Sequence, residues 1–204
     1  MSNFRKVSNF KTDVKDGEEA ENWTLNSLLH MRKPYSDDIR IYNGPDDSPE
    51  YDLKIIVKDA ETKKITHSRL IEVKYDMRSK TTGNFYFELI SNSKNDRLGA
   101  GLASTSDILA LVQPYDDVIL KISFLNFLGL KGYAVNSLLT NRHKMARVAT
   151  NIVCSGILLP LDIILDKYEY CHVYYDILND TIITNKSEFK EQKEKWSKIF
   201  YSCQ

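Results

Sequence analysis

Two oppositely charged side chains interrupt a segment that otherwise has the composition of a buried strand. The segment is RLIEVKYD, residues 69–76, in which Glu72 and Lys74 alternate with apolar residues. Alternate residues of a strand point to the same face, so the carboxylate and the ammonium group share one face. Burying such a pair costs on the order of several kcal/mol per ion unless other groups compensate. This cost indicates that the pair has a chemical purpose.

A second carboxylate precedes this segment, at the start of another predicted strand. An acidic residue followed two places later by Lys occurs six times, at Asp13, Asp52, Glu61, Glu72, Glu188 and Glu191. Only the Glu72–Lys74 pair lies inside an apolar strand that follows another strand beginning with an acid, Asp52 of YDLKIIV. A hairpin with a loop would fit the interval between Asp52 and Glu72 and would bring the two carboxylates side by side.

Neighbouring carboxylates form a hard-oxygen site suited to Mg²⁺, which takes few protein ligands and keeps several waters. A bound Mg²⁺ can polarise a phosphoryl oxygen and lower the pKa of a water for in-line attack. Lys74 would stabilise developing negative charge or position the attacking water. The alternative is an edge strand on which Glu72 and Lys74 simply face solvent.

An Asp at a strand start followed by Glu-x-Lys on the next strand resembles the PD-(D/E)xK nuclease superfamily. The similarity covers about residues 10–130 and implies an α/β fold: a restriction-endonuclease-like mixed β-sheet flanked by helices, with a C-terminal helical extension. It also implies Mg²⁺-dependent hydrolysis of phosphodiester bonds. One departure is that Pro49 stands three residues before Asp52 instead of next to it, which leaves Glu50 as an alternative carboxylate.

The resemblance extends to two further acidic residues. Glu21 follows Gly17 by four residues, as in the first helix of resolvase-like members, and the segment TTGNFYFE, residues 81–88, is similar to a phage-type third strand that ends in Glu88. The resemblance therefore implies Asp52 and Glu72 as metal ligands and Lys74 as the catalytic lysine. Glu21 would be an accessory carboxylate, a ligand through water or to a second metal. Glu88 is either a partner of the ligands or a solvent-facing residue.

Periodicity and turn formers place these residues on elements. A helix is predicted after Gly17 and should end near Pro34. Strands are predicted for YDLKIIV, RLIEVKYD and NFYFELIS, with loops at residues 42–50 and 58–68 and a polar stretch at residues 92–103. The segment STSDILALVQ fits a helix or a strand. Further along, a strand is expected near Ile122, a helix at residues 133–140, a strand at IVCSGILLP and a terminal helix at residues 186–200.

The bulk composition limits the classes of function. The 28 basic and 28 acidic residues cancel, so nucleic-acid binding needs a local site instead of a global field. One such site is the predicted loop NRHKMAR, whose Arg142, Lys144 and Arg147 would contact phosphates or remain an ordinary solvated surface.

Three cysteines in no metal-binding spacing suit a reducing compartment. We expect neither a signal peptide nor a membrane span, and a cytoplasmic location, or the host cytoplasm for a viral protein.

These patterns together predict a single domain over residues 1–204, with a core at about 10–165 and a C-terminal extension at 166–204. The predicted function is a Mg²⁺-dependent endonuclease, with Mn²⁺ as a substitute, that hydrolyses DNA, including branched or structured DNA. An RNA endonuclease would use the same residues. A non-catalytic accessory protein that binds DNA or protein, such as a phage protein on a nuclease fold, is the other class. A homodimer is a further expectation from the resemblance.

Overall fold

The computed structural model describes residues 10–45, 50–92, 97–140, 145–147, 154–185 and 187–201. Its helices are α1 (Phe10–Met31), α2 (Ser79–Thr82), α3 (Ala100–Ala103), α4 (Phe127–Leu139), α5 (Leu161–Tyr168) and α6 (Phe189–Tyr201). Its strands are β1 (Asp38–Asn43), β2 (Leu53–Lys58), β3 (Ile65–Tyr75), β4 (Asn84–Asn92), β5 (Arg97–Leu98), β6 (Ile108–Pro114), β7 (Ile119–Asn126), β8 (Met145–Arg147), β9 (Ser155–Pro160), β10 (Glu169–Asp176) and β11 (Thr181–Ile183).

Seven strands form the main sheet in the order β1-β2-β3-β6-β7-β10-β11. The β3–β6 pair is parallel and the other neighbours in this sheet are antiparallel, so the sheet is mixed. The hairpin predicted between YDLKIIV and RLIEVKYD is present, with Leu53 opposite Ile71. The expected α/β class, a mixed sheet flanked by helices, is confirmed at this level.

Two apolar cores cover the opposite faces of the main sheet. The first core includes Leu28, Ile55, Ile71, Ile122 and Phe200, and it joins α1 and α6 to one face. The second core joins α4, α5 and strands β4 and β9 to the other face and includes Phe85, Phe87, Leu109, Leu125, Leu130 and Ile157. Because β6 is covered on both faces, its residues show no alternation, which is why its sequence fitted a helix as well as a strand.

A smaller sheet, in the order β5-β4-β9-β8, lies against the second core. The strand predicted at NFYFELIS is confirmed as β4, but it pairs with β9 and not with β3. Strands β4 and β9 approach each other closely at Gly156, where an added Cβ would stand 2.3 Å from the carbonyl oxygen of Phe87.

Several elements differ from the sequence prediction: strand β1 was not predicted, and β3 begins at Ile65, inside the predicted loop at residues 58–68. Helix α1 begins at Phe10 and passes through Gly17, because packing of the helix on the sheet outweighs the modest helix penalty of one glycine. Residues 145–147 were expected in a loop but form β8, which pairs with β9. The segment at 79–82 forms the short helix α2, closed by Gly83 at φ 68°.

The C-terminal part of the chain contributes to both the sheet and its cover. Strands β10 and β11 complete the main sheet at one edge, and α6 buries Trp196, Ile199 and Phe200 in the first core. The predicted division at residue 165 falls within α5. Over the ranges that the structure describes, none of the helices has the length and apolar character needed to cross a membrane.

Candidate active site

Asp52 is held at the entrance to β2 by backbone contacts with the next strand. Its N–H donates to the carbonyl of Ile71 over 2.9 Å, and its Oδ2 accepts a hydrogen bond from the N–H of Val73 over 2.6 Å. The Asp52 carbonyl accepts from the N–H of Gly44, where an added Cβ would lie 2.3 Å from the carbonyl oxygen of Tyr51. The carboxylate of Asp52 is therefore placed beside the β3 segment that carries Glu72.

Glu72 and Lys74 lie on the same face of β3, opposite to the face that packs Ile71 and Val73 into the first core. Both side chains are half-buried, and both line a cavity whose walls come from β4, α3, β6 and α4. The space inside for the centre of a water molecule is about 20 Å³, enough for one water. The face shared by the pair is thus an interior one and not the solvent-exposed edge of the alternative interpretation.

Burial raises the pKa of both carboxylates, and the charge of Asp52 adds to the shift of Glu72. The pKa of Glu72 is raised to about 7, first by burial and then by the charge of Asp52, against the opposing effects of Ser104 and of the charges on Lys74 and Lys131. Burial also raises the pKa of Asp52, against the Val73 N–H and Lys74. One lysine on the strand therefore does not compensate both acids.

Glu21 approaches the same region from α1. Burial raises its pKa to about 7, and the next contribution comes from the charge of Asp52, followed by that of Glu18. Asp52 thus interacts electrostatically with Glu21 as well as with Glu72. Within the described ranges, however, no three or more His, Cys, Asp or Glu residues are arranged to hold a metal ion together. A cation here would be held by Asp52 and Glu72 with waters, in keeping with the few protein ligands that Mg²⁺ takes.

Glu88 lines the same cavity as Glu72 and Lys74. Its Oε2 accepts a hydrogen bond from the N–H of Ala100 over 3.2 Å, so the carboxylate anchors the first residue of α3. Cβ atoms built on Gly99 and Gly101 would lie 2.5 Å and 2.4 Å from atoms of Glu88, which explains the glycines of this segment.

Sequence reasoning missed two polar residues beside Glu72. Ser104 lowers the pKa of Glu72, and its hydroxyl donates to the Glu50 carbonyl over 3.0 Å. Lys131 of α4 donates from Nζ to the Ser104 carbonyl, and its ammonium lies 4.4 Å from the centroid of the Phe127 ring. Burial lowers the pKa of Lys131, and the charges of Glu72 and Asp107 oppose this shift. A signal was present in the sequence, because Lys131 is the only charged residue of the helix FLGLKGYAVNSLL.

The basic segment proposed for phosphate contacts is described only in part. Arg142 and Lys144 lie outside the described residues. The backbone of Arg147 lies in β8, and its side chain is not described. Their predicted contacts with nucleic acid stay a prediction.

Comparison of the chain with protein-family models, with curated proteins and with solved structures finds no match.

Proposed function

We propose that this protein is a Mg²⁺-dependent endonuclease that hydrolyses DNA phosphodiester bonds. The observation that carries the proposal is that Asp52 lies beside Glu72 in the β2–β3 hairpin, with Lys74 on the same face of β3 as Glu72, while burial raises the pKa of both acids. Clustered acids with perturbed pKa values in a cavity are typical of functional sites.

The donor set fits a hard divalent cation. Asp52 and Glu72 would hold the ion through carboxylate oxygens, which are the ligands that Mg²⁺ prefers, and Mn²⁺ would occupy the same oxygens. When bound, Mg²⁺ supplies a Lewis acid for the phosphoryl oxygen and a more acidic water. Burial disfavours the ionised form of both acids, and a bound cation would stabilise that form.

The other side chains have distinct tasks in this proposal. Lys74 faces the cavity beside Glu72 and would stabilise negative charge that develops on the phosphate, or orient the attacking water. Glu21 would accept a hydrogen bond from a water near Asp52, since the two carboxylates interact electrostatically. Arg142, Lys144 and Arg147 would contact phosphates and give salt-dependent binding.

A non-catalytic module that binds DNA or protein is the second candidate. It is favoured by the exact balance of 28 basic and 28 acidic residues and by the lack of a three-residue metal group among the residues that the structure describes. An RNA endonuclease would use the same acids and lysine as the DNA enzyme, so substrate trials must separate these two.

The test is cleavage of linear, circular, single-stranded and four-way-junction DNA and of RNA, with Mg²⁺, with Mn²⁺ and with a chelator. We expect metal-dependent cleavage of DNA by the wild-type chain and a loss of at least about a hundredfold in the Glu72→Ala/Lys74→Ala variant.

The matched control is Glu61→Ala/Lys63→Ala, which removes the same acid-x-Lys pair from an exposed turn and should cleave as the wild type does. Activity that persists in the Glu72/Lys74 double variant would reject the proposed active site. Cleavage of RNA alone would favour the ribonuclease. Binding of DNA or protein without cleavage of any substrate would favour the non-catalytic module.

A further inference from the structure

The second core covers only part of its face of the main sheet. None of the residues described for β1, β2 and β3 belongs to that core, although all three strands contribute side chains to the first core. The other side of these three strands is therefore left uncovered next to the candidate site. Antiparallel strands commonly have one solvated face, so the residues on it decide whether it can bind a partner.

Basic side chains occupy this uncovered side. Lys54 and Lys58 point to it from β2, because Ile55 between them is fully buried in the first core and alternate residues of a strand share a face. Arg40 reaches the same side from β1, where it lies opposite Ile56. We call Arg40, Lys54 and Lys58 the basic face.

The basic face carries more positive charge than its neighbouring acid neutralises. Asp38 lies opposite Lys58 in the register of β1 and β2, but it pairs with Arg40, whose guanidinium donates to it over 3.0 Å. Neither Lys54 nor Lys58 forms an ion pair with another residue that the structure describes. The two ammonium groups can therefore bind an anion without breaking such a pair.

The basic face continues into the candidate site. Lys54 follows Asp52 by two residues, and it lies opposite Leu70, which precedes Glu72 by two residues. Lys58 lies four residues further along β2, a distance of about 13 Å in an extended strand. Since one strand of DNA carries a phosphate about every 3.4 Å, this length spans about four phosphates.

We propose that the basic face binds the phosphate backbone of duplex DNA and directs it along β2 to Asp52 and Glu72. This inference rests on the proposed function for the identity of the anion. Lysine contacts to phosphates give affinity without sequence preference. A chain whose 28 basic and 28 acidic residues cancel would then bind DNA through one local surface.

The experiment measures binding of a fluorescent DNA duplex to the full chain by anisotropy, in a chelator and over a series of salt concentrations. Lys54→Gln/Lys58→Gln should reduce the slope of log affinity against log salt by about 2, because each phosphate contact contributes about 0.9. At 50 mM salt, we expect this variant to bind at least about tenfold more weakly than the wild type.

The matched control is Lys190→Gln/Lys195→Gln. It removes the same two charges from exposed positions of α6, which packs on the opposite face of the main sheet. This control should keep the wild-type slope, because exposed charges are largely screened beyond about 10 Å at 0.1 M salt.

The outcomes separate this inference from the proposed function. A smaller slope in Lys54→Gln/Lys58→Gln, with a wild-type slope in the control, supports the basic face. Equal losses in both double variants, or a loss in neither, overturn the basic face, and Mg²⁺-dependent cleavage by the wild type would then leave the proposed function standing. Binding through the basic face without cleavage in Mg²⁺ supports this surface and favours the non-catalytic module. A wild-type chain that neither binds nor cleaves duplex DNA overturns both proposals.

Discussion

Glu72 is the residue at which burial and charge conflict most clearly. It lies on a half-buried strand face, next to an apolar cavity and beside a second acid, and its pKa is raised to about 7. A structural role alone would be served better by an apolar or amide side chain of similar size, because a buried carboxylate disfavours folding when it ionises. In the proposed function, a bound cation would offset this cost.

The first prediction concerns the pH dependence of stability. The pKa of Glu72 rises from an ordinary 4.5 in the unfolded chain to about 7 in the fold, so the folded protein binds the proton more tightly. The contribution of Glu72 to the free energy of unfolding therefore falls as pH rises from about 4.5 to about 7. Glu72→Gln should raise that free energy above pH 7, by at most about 3 kcal/mol, and change it little below pH 4.5.

Urea denaturation at pH 4.5 and pH 8 in a chelator measures this difference. Glu191→Gln is a useful control because the hydrogen bond and charge of Lys195 lower the pKa of that exposed glutamate, so its replacement should not stabilise the protein at pH 8. An equal effect of Glu72→Gln at both pH values would show that ionisation of Glu72 does not oppose folding.

The second prediction concerns metal binding. Mn²⁺ at about 100 times its dissociation constant should stabilise the fold by about 2.7 kcal/mol. The rise in melting temperature should be larger at pH 8 than at pH 6, because metal binding requires deprotonated carboxylates and the pKa of Glu72 is about 7. Thermal unfolding with and without Mn²⁺ provides the measurement. A shift that survives in Asp52→Asn/Glu72→Gln would place the bound ion elsewhere on the protein.

At the scale of elements, the β2–β3 hairpin brings the two acids together. Its antiparallel register places Leu53 opposite Ile71, so the residues just before and just after these two positions, Asp52 and Glu72, become neighbours. The backbone bond from Val73 to the Asp52 carboxylate then fixes the first acid against the strand of the second. The geometry of the site therefore depends on the entrance to β2.

The third prediction tests that entrance with two glycines. Gly44→Ala would place a Cβ 2.3 Å from the carbonyl oxygen of Tyr51 and 3.1 Å from that of Asp52, which forces the backbone beside the first acid to move. We expect a loss of stability of about 1–3 kcal/mol and weaker Mn²⁺ binding. Gly17→Ala has open space around the new Cβ within α1 and should raise stability by about 0.5–1 kcal/mol.

Urea denaturation of both glycine variants, together with Mn²⁺ titration, gives the comparison. Similar Mn²⁺ affinity in Gly44→Ala and the wild type would show that the entrance to β2 does not control the position of Asp52. Destabilisation by Gly17→Ala would show that the glycine is needed for more than helix continuity.

At the scale of the whole molecule, the candidate site depends on both apolar cores, which cover opposite faces of the main sheet. The first core supports β2 and β3 from one side through α1 and α6, and the second core encloses Glu72 and Lys74 from the other. Helices α1 and α6 both support β2 and β3, since they pack on the same face of the main sheet.

The fourth prediction tests this dependence through α6. Trp196 is 2% exposed in the first core, and Trp196→Ala should destabilise the fold by about 3–5 kcal/mol. Phe189 contacts the Trp196 ring edge-on but is 40% exposed, so Phe189→Ala should cost clearly less. Chemical denaturation measures both. Equal losses would mean that the helix docks through its first turn as much as through its buried face.

Local pattern was sufficient for β2, β3, β4, β9 and α6, but it did not predict β1 or β11. Alternation in RLIEVKYD and YDLKIIV predicted β3, β2 and their hairpin, because a half-covered strand has one apolar face and one polar face. The fully covered β6 could not be distinguished from a helix, since a strand buried on both faces has no alternation to detect. The start of α1 was misplaced because one glycine is a weak helix breaker.

The sequence by itself determined which residues carry the charges and which strands bear them. Only the tertiary structure decided what surrounds those charges: the pairing of β4 with β9 instead of β3, the cavity beside Glu72, and the contacts of Ser104 and Lys131. The physical reason is that hydrophobic periodicity is local to an element. Contacts between residues that lie far apart in the sequence depend on how whole faces pack, and no short segment encodes that packing.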